Sequence, residues 1–276
     1  MTTQTAKALA FQALHRAGHP LALANVWDAA GARIVAAAGA PAIATTSAGV
    51  AWALGTQDGG TLGRALAVEL VARVADAVDL PVTADIEDGY ATDPAGVGET
   101  VAEVLKAGAV GINLEDSLRA GPAPLREVDD QAARIAAARA AAEGVGVPLY
   151  LNARIDTYLC GVSDDPAELF RLTVERATAY VAAGASGVFV FGLPDRATIA
   201  ELAAALPVPL NVPGGPGRPS VAELAGLGVA RVSLGSTIAE SAYAVVQRAA
   251  RELYTEGSYT ELAAAIPYGE LNGLLG

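Results

Sequence analysis

What most limits the fold of this chain is a repeat of short apolar runs, each followed by an alanine-rich stretch of helical character. The runs occupy residues 21–25, 42–46, 82–85, 111–115, 149–154, 187–190, 210–212 and 231–234. They are brief and mostly apolar, as parallel strands covered on both faces must be. Ala38-Gly39-Ala40-Pro41, Ala107-Gly108-Ala109-Val110 and Ala183-Gly184-Ala185-Ser186 each put a glycine where a helix must stop before the next run. Asp93-Pro94 and Asp165-Pro166 put a capping carboxylate before a proline at the first helical position. Ser220 and Glu223 have the spacing of a capping box. Eight strands alternating with helices predict a (β/α)8 TIM barrel, and pattern alone leaves a doubly wound sheet open as the alternative.

The 276 residues suit one barrel domain over 1–276, with 258–276 as a C-terminal helical appendix. With 53% hydrophobic and 17% charged residues, the chain is too apolar for disorder. A net charge of −12 argues against nucleic acid and anionic membranes as partners. It leaves small anionic substrates open, because a bound divalent cation inverts the local charge. The one cysteine, Cys160, excludes an internal disulfide framework or a multi-cysteine metal site. Residues 34–57 are uncharged and long enough to span a bilayer, but Gly39, Pro41 and Thr45-Thr46-Ser47 interrupt them, so a buried helix, strand and loop are expected. With no secretory signal in its first residues, the chain is expected to be soluble and cytoplasmic.

In a (β/α)8 barrel the chemistry sits at the C-terminal ends of the strands. The third run ends in Asp85-Ile86-Glu87-Asp88-Gly89-Tyr90, the fourth in Asn113-Leu114-Glu115-Asp116 and the fifth in Asn152-Ala153-Arg154. Carboxylates there with no histidine nearby make a hard, oxygen-rich site that suits Mg²⁺ or Mn²⁺. Asp85, Glu87 and Glu115 are the candidate ligands, against the plainer reading that they cap helices or pair with arginines. Arg154, the one basic residue among the strand ends, could hold a substrate carboxylate or pair with one of these acids. Ser47, Ala48 and Gly49 offer a hydroxyl and backbone N–H groups in a tight turn, a candidate oxyanion cradle. Asn211 ends the seventh run, and Pro213-Gly214-Gly215-Pro216-Gly217 follows it where many barrels bind phosphate. Arg231 opens the eighth run and is expected at the opposite barrel face in a structural role.

Thr46-Ser47-Ala48-Gly49-Val50, Leu54-Gly55-Thr56-Gln57-Asp58, Asp85-Ile86-Glu87-Asp88-Gly89-Tyr90, Asn113-Leu114-Glu115-Asp116 and Asn152-Ala153-Arg154 together resemble the isocitrate lyase/phosphoenolpyruvate mutase superfamily. The resemblance runs in order from about Asn25 to about Arg251. It implies a barrel whose eighth helix is swapped between subunits of a homodimer or homotetramer. It also implies Mg²⁺ and a small α-keto or 2-hydroxy carboxylate reacting through an enolpyruvate-like species. By position, Asp85 would be the principal metal ligand, with Glu87 and Glu115 completing the shell partly through water. Asp58 would be a catalytic acid near the metal. Ser47, Ala48 and Gly49 would hold the substrate head and Arg154 its remaining anionic part.

The departures bear on the reaction. The lyases carry a Lys-Lys-Cys-Gly-His-like segment after the fourth strand; here residues 117–124 contain neither Cys nor His, though they could still act as a lid. The phosphonate-handling members often have a histidine where this chain has Phe191-Gly192. The resulting expectation is a Mg²⁺-dependent carbon–carbon lyase, by decarboxylation or retro-aldol cleavage, with Asp58 as base and water, Tyr90 or Tyr158 as proton donor. A phosphonopyruvate-type P–C enzyme and a non-catalytic keto-acid-binding barrel are the alternatives.

Overall fold

Strand pairing decides between the two fold expectations. In a computed structural model describing residues 3–60, 62–118 and 124–276, nine parallel segments form one sheet. They are β1 (Leu21–Leu23), β2 (Asn25–Val26), β3 (Ile43–Thr45), β4 (Val82–Asp85), β5 (Gly111–Glu115), β6 (Tyr150–Ile155), β7 (Gly187–Val190), β8 (Leu210–Pro213) and β9 (Arg231–Ser233). Their order is β1-β9-β8-β7-β6-β5-β4-β3-β2, so the two edge segments are neighbours in sequence, separated by Ala24 alone. The chain itself completes the ring, which makes a barrel and removes the doubly wound alternative. The first run of the sequence reading is therefore two segments: β1 pairs with β9 and β2 with β3.

Helices follow the strands as expected: α2 (Ala29–Ala37), α3 (Ser47–Ala53), α4 (Arg64–Ala77), α5 (Pro94–Lys106), α6 (Val128–Val145), α7 (Thr157–Cys160), α8 (Pro166–Ala182), α9 (Arg196–Ala205), α10 (Val221–Gly226) and α11 (Thr237–Glu256). The predicted caps form. Asp93 accepts from Gly96 N, Asp165 from Ala167 N, and Ser220 and Glu223 complete a capping box. Each cap is worth about 1 kcal/mol, enough to fix where a helix begins. Residues 34–57 fold as the end of α2, β3 and α3. No helix among the described residues is long and apolar enough to cross a membrane.

A strand period of two sorts the barrel's side chains. One set, including Ile112, Leu114, Leu151, Ala153, Val188 and Val190, packs against buried residues of the surrounding helices such as Val101, Ile135 and Tyr180. The other set is polar and lies in the lumen: Asn152 Nδ2 donates to Asn113 Oδ1 (2.9 Å), and Arg231 Nη2 reaches the same oxygen at 3.4 Å. β9 and β5 are not neighbours in the sheet, so this contact spans the lumen. Helix α1 (Thr3–Ala13) closes the N-terminal end, Gln4 and Gln12 donating to the carbonyls of Leu105, Ala109 and Pro148. Phe11 lies so close to Gly111 that a Cβ there would come within 2.7 Å of the ring. His15 stacks on Tyr150 at 3.7 Å between ring centroids.

The last helices lie apart from this scheme. Of the twenty residues of α11 only Ala239 and Glu252 are buried. Tyr243, Val245, Val246, Leu253 and Tyr254 remain exposed. The barrel flank between α2 and α10 has a hollow of about 400 Å³ lined by Leu23, Val35, Pro41, Val221 and Val232. Beyond α11, Glu252 accepts hydrogen bonds from Ser258, Thr260 and Glu261, turning the chain into a 3-10 turn (Thr260–Leu262) and α12 (Tyr268–Leu275).

Burial, reinforced by the Arg231 charge, holds His15 down at a pKa of about 3 from its usual 6.5. Between those values the unfolded chain takes up a proton that the folded chain refuses. This contribution to stability is therefore whole above pH ~6.5 and falls as the pH drops toward 3. We expect the unfolding free energy in urea to lose up to about 1.4 kcal/mol per pH unit from this group between pH ~6 and ~4. His15→Phe should flatten that slope; an equal slope in both proteins would contradict the assignment.

Candidate active site

Residues distant in sequence meet at the C-terminal end of the barrel because parallel strands place all their ends on one face. Ser47, opening α3, donates to Asp85 Oδ2 from its backbone N (3.2 Å) and its hydroxyl (2.9 Å). Thr45 Oγ1 accepts from Asp85 N at 2.9 Å, fixing the end of β4 against β3. Burial pushes the Asp85 carboxyl up, Glu115 adds to this, and Arg154 and Ser47 oppose it.

Beyond Asp85 the backbone turns sharply, with φ of 51° at Glu87 and 50° at Tyr90, in the left-handed region that non-glycine residues rarely adopt. The turn sends Glu87 back over the strand end, where it accepts from Gly60 N on the loop that carries Asp58. Burial, then the charges of Asp58 and Asp85, push Glu87 up to about 7. Its Oε1 is buried without a hydrogen-bond partner among the described residues.

On the next strands Glu115 accepts from Ser117 Oγ (2.9 Å) and pairs with Arg154 Nη1 (2.9 Å). Arg154 Nε donates to Asp156 Oδ1 (2.8 Å), and the guanidinium lies 4.2 Å from the centre of the Phe191 ring. Burial works against the Arg154 charge, but Glu115 and Asp156 outweigh it and the group stays protonated. Beneath this pair, Asp116 accepts from Asp156 N (3.0 Å), Tyr180 OH (2.9 Å) and Arg176 Nη1 (3.1 Å). Burial nonetheless raises Asp116 to about 6.

A pocket of about 230 Å³ opens among these groups, lined by Ser47, Ala48, Asp58, Asp85, Arg154 and Phe191, with Arg218 and Gly235 at its far wall. Five residues singled out from sequence thus line one cavity: Ser47, Ala48, Asp58, Asp85 and Arg154. Glu87 and Glu115 stand outside that lining, engaged by Gly60, Ser117 and Arg154. Two others lie off the pocket. Gly49 is packed inside α3, where a Cβ would approach Thr46 Cγ2 to 2.8 Å. Asn211 points into the lumen, its Nδ2 donating to Ser233 Oγ at 3.2 Å. Arg231, expected at the opposite face, runs inward and is fully buried in the lumen. Neither Tyr90 nor Tyr158 lines the pocket. The middle of the expected lid, 119–123, lies outside the described residues. Its base is paired, with Leu118 N donating to Pro124 O at 2.8 Å.

Phe191 and Arg218 were not among the residues chosen from sequence. Each had a signal: Phe191 directly follows the sixth run, and Arg218 follows the Pro- and Gly-rich turn after the seventh. A larger hollow of about 550 Å³ lies beside the pocket, between the loops leading to α9 and α10. It shares Pro213 and Arg218 with the pocket but has no cluster of acids.

Among the described residues no three His, Cys, Asp or Glu side chains are arranged as a ready-made metal cage. The acids do form an all-oxygen set around Asp85 and the orphaned Glu87 Oε1. Mg²⁺ keeps several waters and takes only one or two carboxylates directly, so such a set suits it.

The Asp116 network should behave as one unit. Asp116→Ala removes the carboxylate that pairs with the Arg176 cation and accepts from the Tyr180 hydroxyl and Asp156 N, at a cost of about 3 kcal/mol. Thermal unfolding should show a clear drop in Tm; a loss under about 0.5 kcal/mol would mean these bonds contribute no more than a surface pair.

A family model for phosphoenolpyruvate phosphomutase matches residues 11–254. An uncharacterized protein of Mycobacterium tuberculosis (strain H37Rv) is 37% identical over 268 residues, 97% of this chain and 96% of its own. The 2-methylisocitrate lyase of Escherichia coli is 29% identical over 206 residues, 73% of this chain and 67% of its own. The oxaloacetate decarboxylase of Ectopseudomonas mendocina is 35% identical over 146 residues, 52% of this chain and 47% of its own. Two crystal structures from Burkholderia cenocepacia J2315 superpose closely. One, provisionally named a phosphonomutase, has a TM-score of 0.84 and 46% identity, covering 92% of this chain and 100% of its own. The other, provisionally named a lyase/mutase, has a TM-score of 0.91 and 38% identity, covering 99% and 96%. A phosphonopyruvate hydrolase complexed with oxalate and Mg²⁺ shares the fold, with a TM-score of 0.84, 23% identity and coverage of 97% and 94%. The chain belongs to the phosphoenolpyruvate phosphomutase family and is an enzyme of the isocitrate lyase/phosphoenolpyruvate mutase type.

Proposed function

We propose that this protein is a Mg²⁺-dependent carbon–carbon lyase acting on a small α-keto or 2-hydroxy carboxylate, with Mn²⁺ as an alternative cation. The observation that carries the reading is the convergence of Asp85, Asp58, Ser47 and Arg154 on one small pocket at the barrel mouth. Asp85 would hold the cation, with Glu87 and Glu115 acting through its water shell. When bound, the cation supplies Lewis-acid stabilisation of the enolate left as the C–C bond breaks. Ser47 and the backbone at Ala48 hold the substrate's head by donating hydrogen bonds to its oxygens. Arg154, kept charged by Glu115 and Asp156, orients the distal carboxylate. For a 2-hydroxy substrate, Asp58 takes the hydroxyl proton as C–C cleavage proceeds. Solvent returns a proton to the enolate carbon; among the described residues the pocket is lined by Ser47, Asp58, Asp85 and Arg154 and by no tyrosine, cysteine or histidine. The oxaloacetate decarboxylase and 2-methylisocitrate lyase relatives support this reading.

P–C bond chemistry is the second reading, favoured by the relative provisionally named a phosphonomutase. Pyruvate release from oxaloacetate, 2-alkylmalates and methylisocitrate, and phosphate release from phosphonopyruvate, separate the two. We expect turnover of a carbon substrate to fall by about a hundredfold or more in Asp85→Asn, and KM to rise in Arg154→Ala. Undiminished turnover in Asp85→Asn would remove the proposed site. Phosphate release in place of pyruvate release would favour the second reading.

The uncovered hollow between α2 and α10, and the apolar residues left exposed on α11, support a homodimer or homotetramer in which this helix packs on a second copy. Light scattering should give a mass of at least twice the chain's 27.7 kDa, reduced by Val246→Asp. A monomer at micromolar concentration would overturn it.

A further inference from the structure

Arg231 is a cation enclosed within the barrel. Its side chain is fully buried and forms no ion pair among the described residues. Nε donates to Ser233 Oγ at 3.0 Å, Nη2 lies 3.4 Å from Asn113 Oδ1, and Nη1 has no hydrogen-bond partner. Below it lie Tyr150 and a His15 that stays neutral; burial, reinforced by the Arg231 charge, drives the imidazole proton off. Asn113 stands in register with Asp85 on the neighbouring strand, so the guanidinium is one residue away from the acid facing the pocket. An unpaired buried charge is costly, and an apolar side chain of similar size would fill the same space at less cost. Hydrogen bonding alone does not account for a guanidinium, because serine and asparagine partners would accept from a neutral amide equally well.

What the position supplies is a field. The barrel mouth above collects Asp58, Asp85, Glu87 and Glu115, with Arg154 as the cation directly paired among them. In a lumen sealed from water, a positive charge below this cluster acts over several ångströms with little screening.

We propose that Arg231 is a positioning residue that sets the charge balance of the site from below: it fixes Asn113 beside Asp85, weakens the site's hold on a divalent cation and strengthens its hold on a dianionic substrate. This rests on the active-site reading given above. A residue that only supports the fold would change both affinities in the same direction or neither; a charge in the lumen changes them in opposite directions.

The test is calorimetric titration of the full chain with Mn²⁺ alone, then with oxalate at saturating Mn²⁺. Arg231→Gln keeps the hydrogen-bonding capacity and removes the charge; Arg231→Lys keeps the charge. In Arg231→Gln, Mn²⁺ should bind several-fold more tightly and oxalate on the order of tenfold more weakly. Arg231→Lys should return both constants to within about threefold of the parent. Should Arg231→Gln not fold, the same opposite shifts are read on Arg231→Met. If both neutral variants fail to fold while Arg231→Lys folds, the charge serves stability and the proposal is overturned. It is equally overturned if a folded neutral variant binds Mn²⁺ no more tightly than the parent. Failure of the parent itself to bind Mn²⁺ or oxalate would instead remove the active-site reading, and this role with it.

Discussion

The arrangement at the barrel mouth depends on one ion-paired group, Arg154 held between Glu115 and Asp156. Asp58, Asp85, Glu87, Glu115 and Asp156 are gathered at that end, and their mutual repulsion opposes folding. Placing a guanidinium among them, against the face of Phe191, converts part of that repulsion into attraction and orients the planar group. Asp156 is in turn held by its backbone N–H to Asp116, which Arg176 and Tyr180 fix from the helix layer. The active face is thus braced outward, from pocket to strand end to surrounding helix. Rigidity of this kind lets a site bind a substrate without first reorganising.

The barrel lumen adds a second layer to the same balance. Many barrels fill this space with branched apolar side chains. Here Thr83, Asn113, Asn152, Asn211, Arg231 and Ser233 occupy it, and several of their polar atoms bond to one another across the ring. The apolar contribution to stability comes instead from the outer wall, where strands and helices share a continuous core. Separating the two roles leaves the lumen free to carry charge and hydrogen bonds for the site above it.

Membership of the phosphoenolpyruvate phosphomutase family constrains the chemistry without choosing the reaction. The relatives that the chain matches carry the names of enzymes that break different bonds, and a fold hosts more than one reaction. In this chain the informative positions are the segment from Ser117, which has neither Cys nor His, and Phe191 and Arg218, which line the pocket.

The sequence by itself determined the alternation of strands and helices and named the strand ends where candidate residues would lie, while strand pairing closed the barrel. Eight apolar runs, the Asp93, Asp165 and Ser220 caps and the glycine-bearing turns are local signals, and local propensity and periodicity are read along the chain. Asp58, Asp85 and Arg154 could be chosen because the fold rule sends strand ends to one face. Only the tertiary structure decided which of those residues meet. That Gly49 packs inward while Ser47 and Ala48 face the pocket depends on how α3 lies against Trp27 and Ala239. That Arg231 turns into the lumen, and that Arg218 reaches the pocket wall, depends on strand stagger and loop path. The split of the first run into β1 and β2 follows from closing the ring. These are contacts between residues up to two hundred positions apart, and no local pattern encodes which side of a strand will face which neighbour.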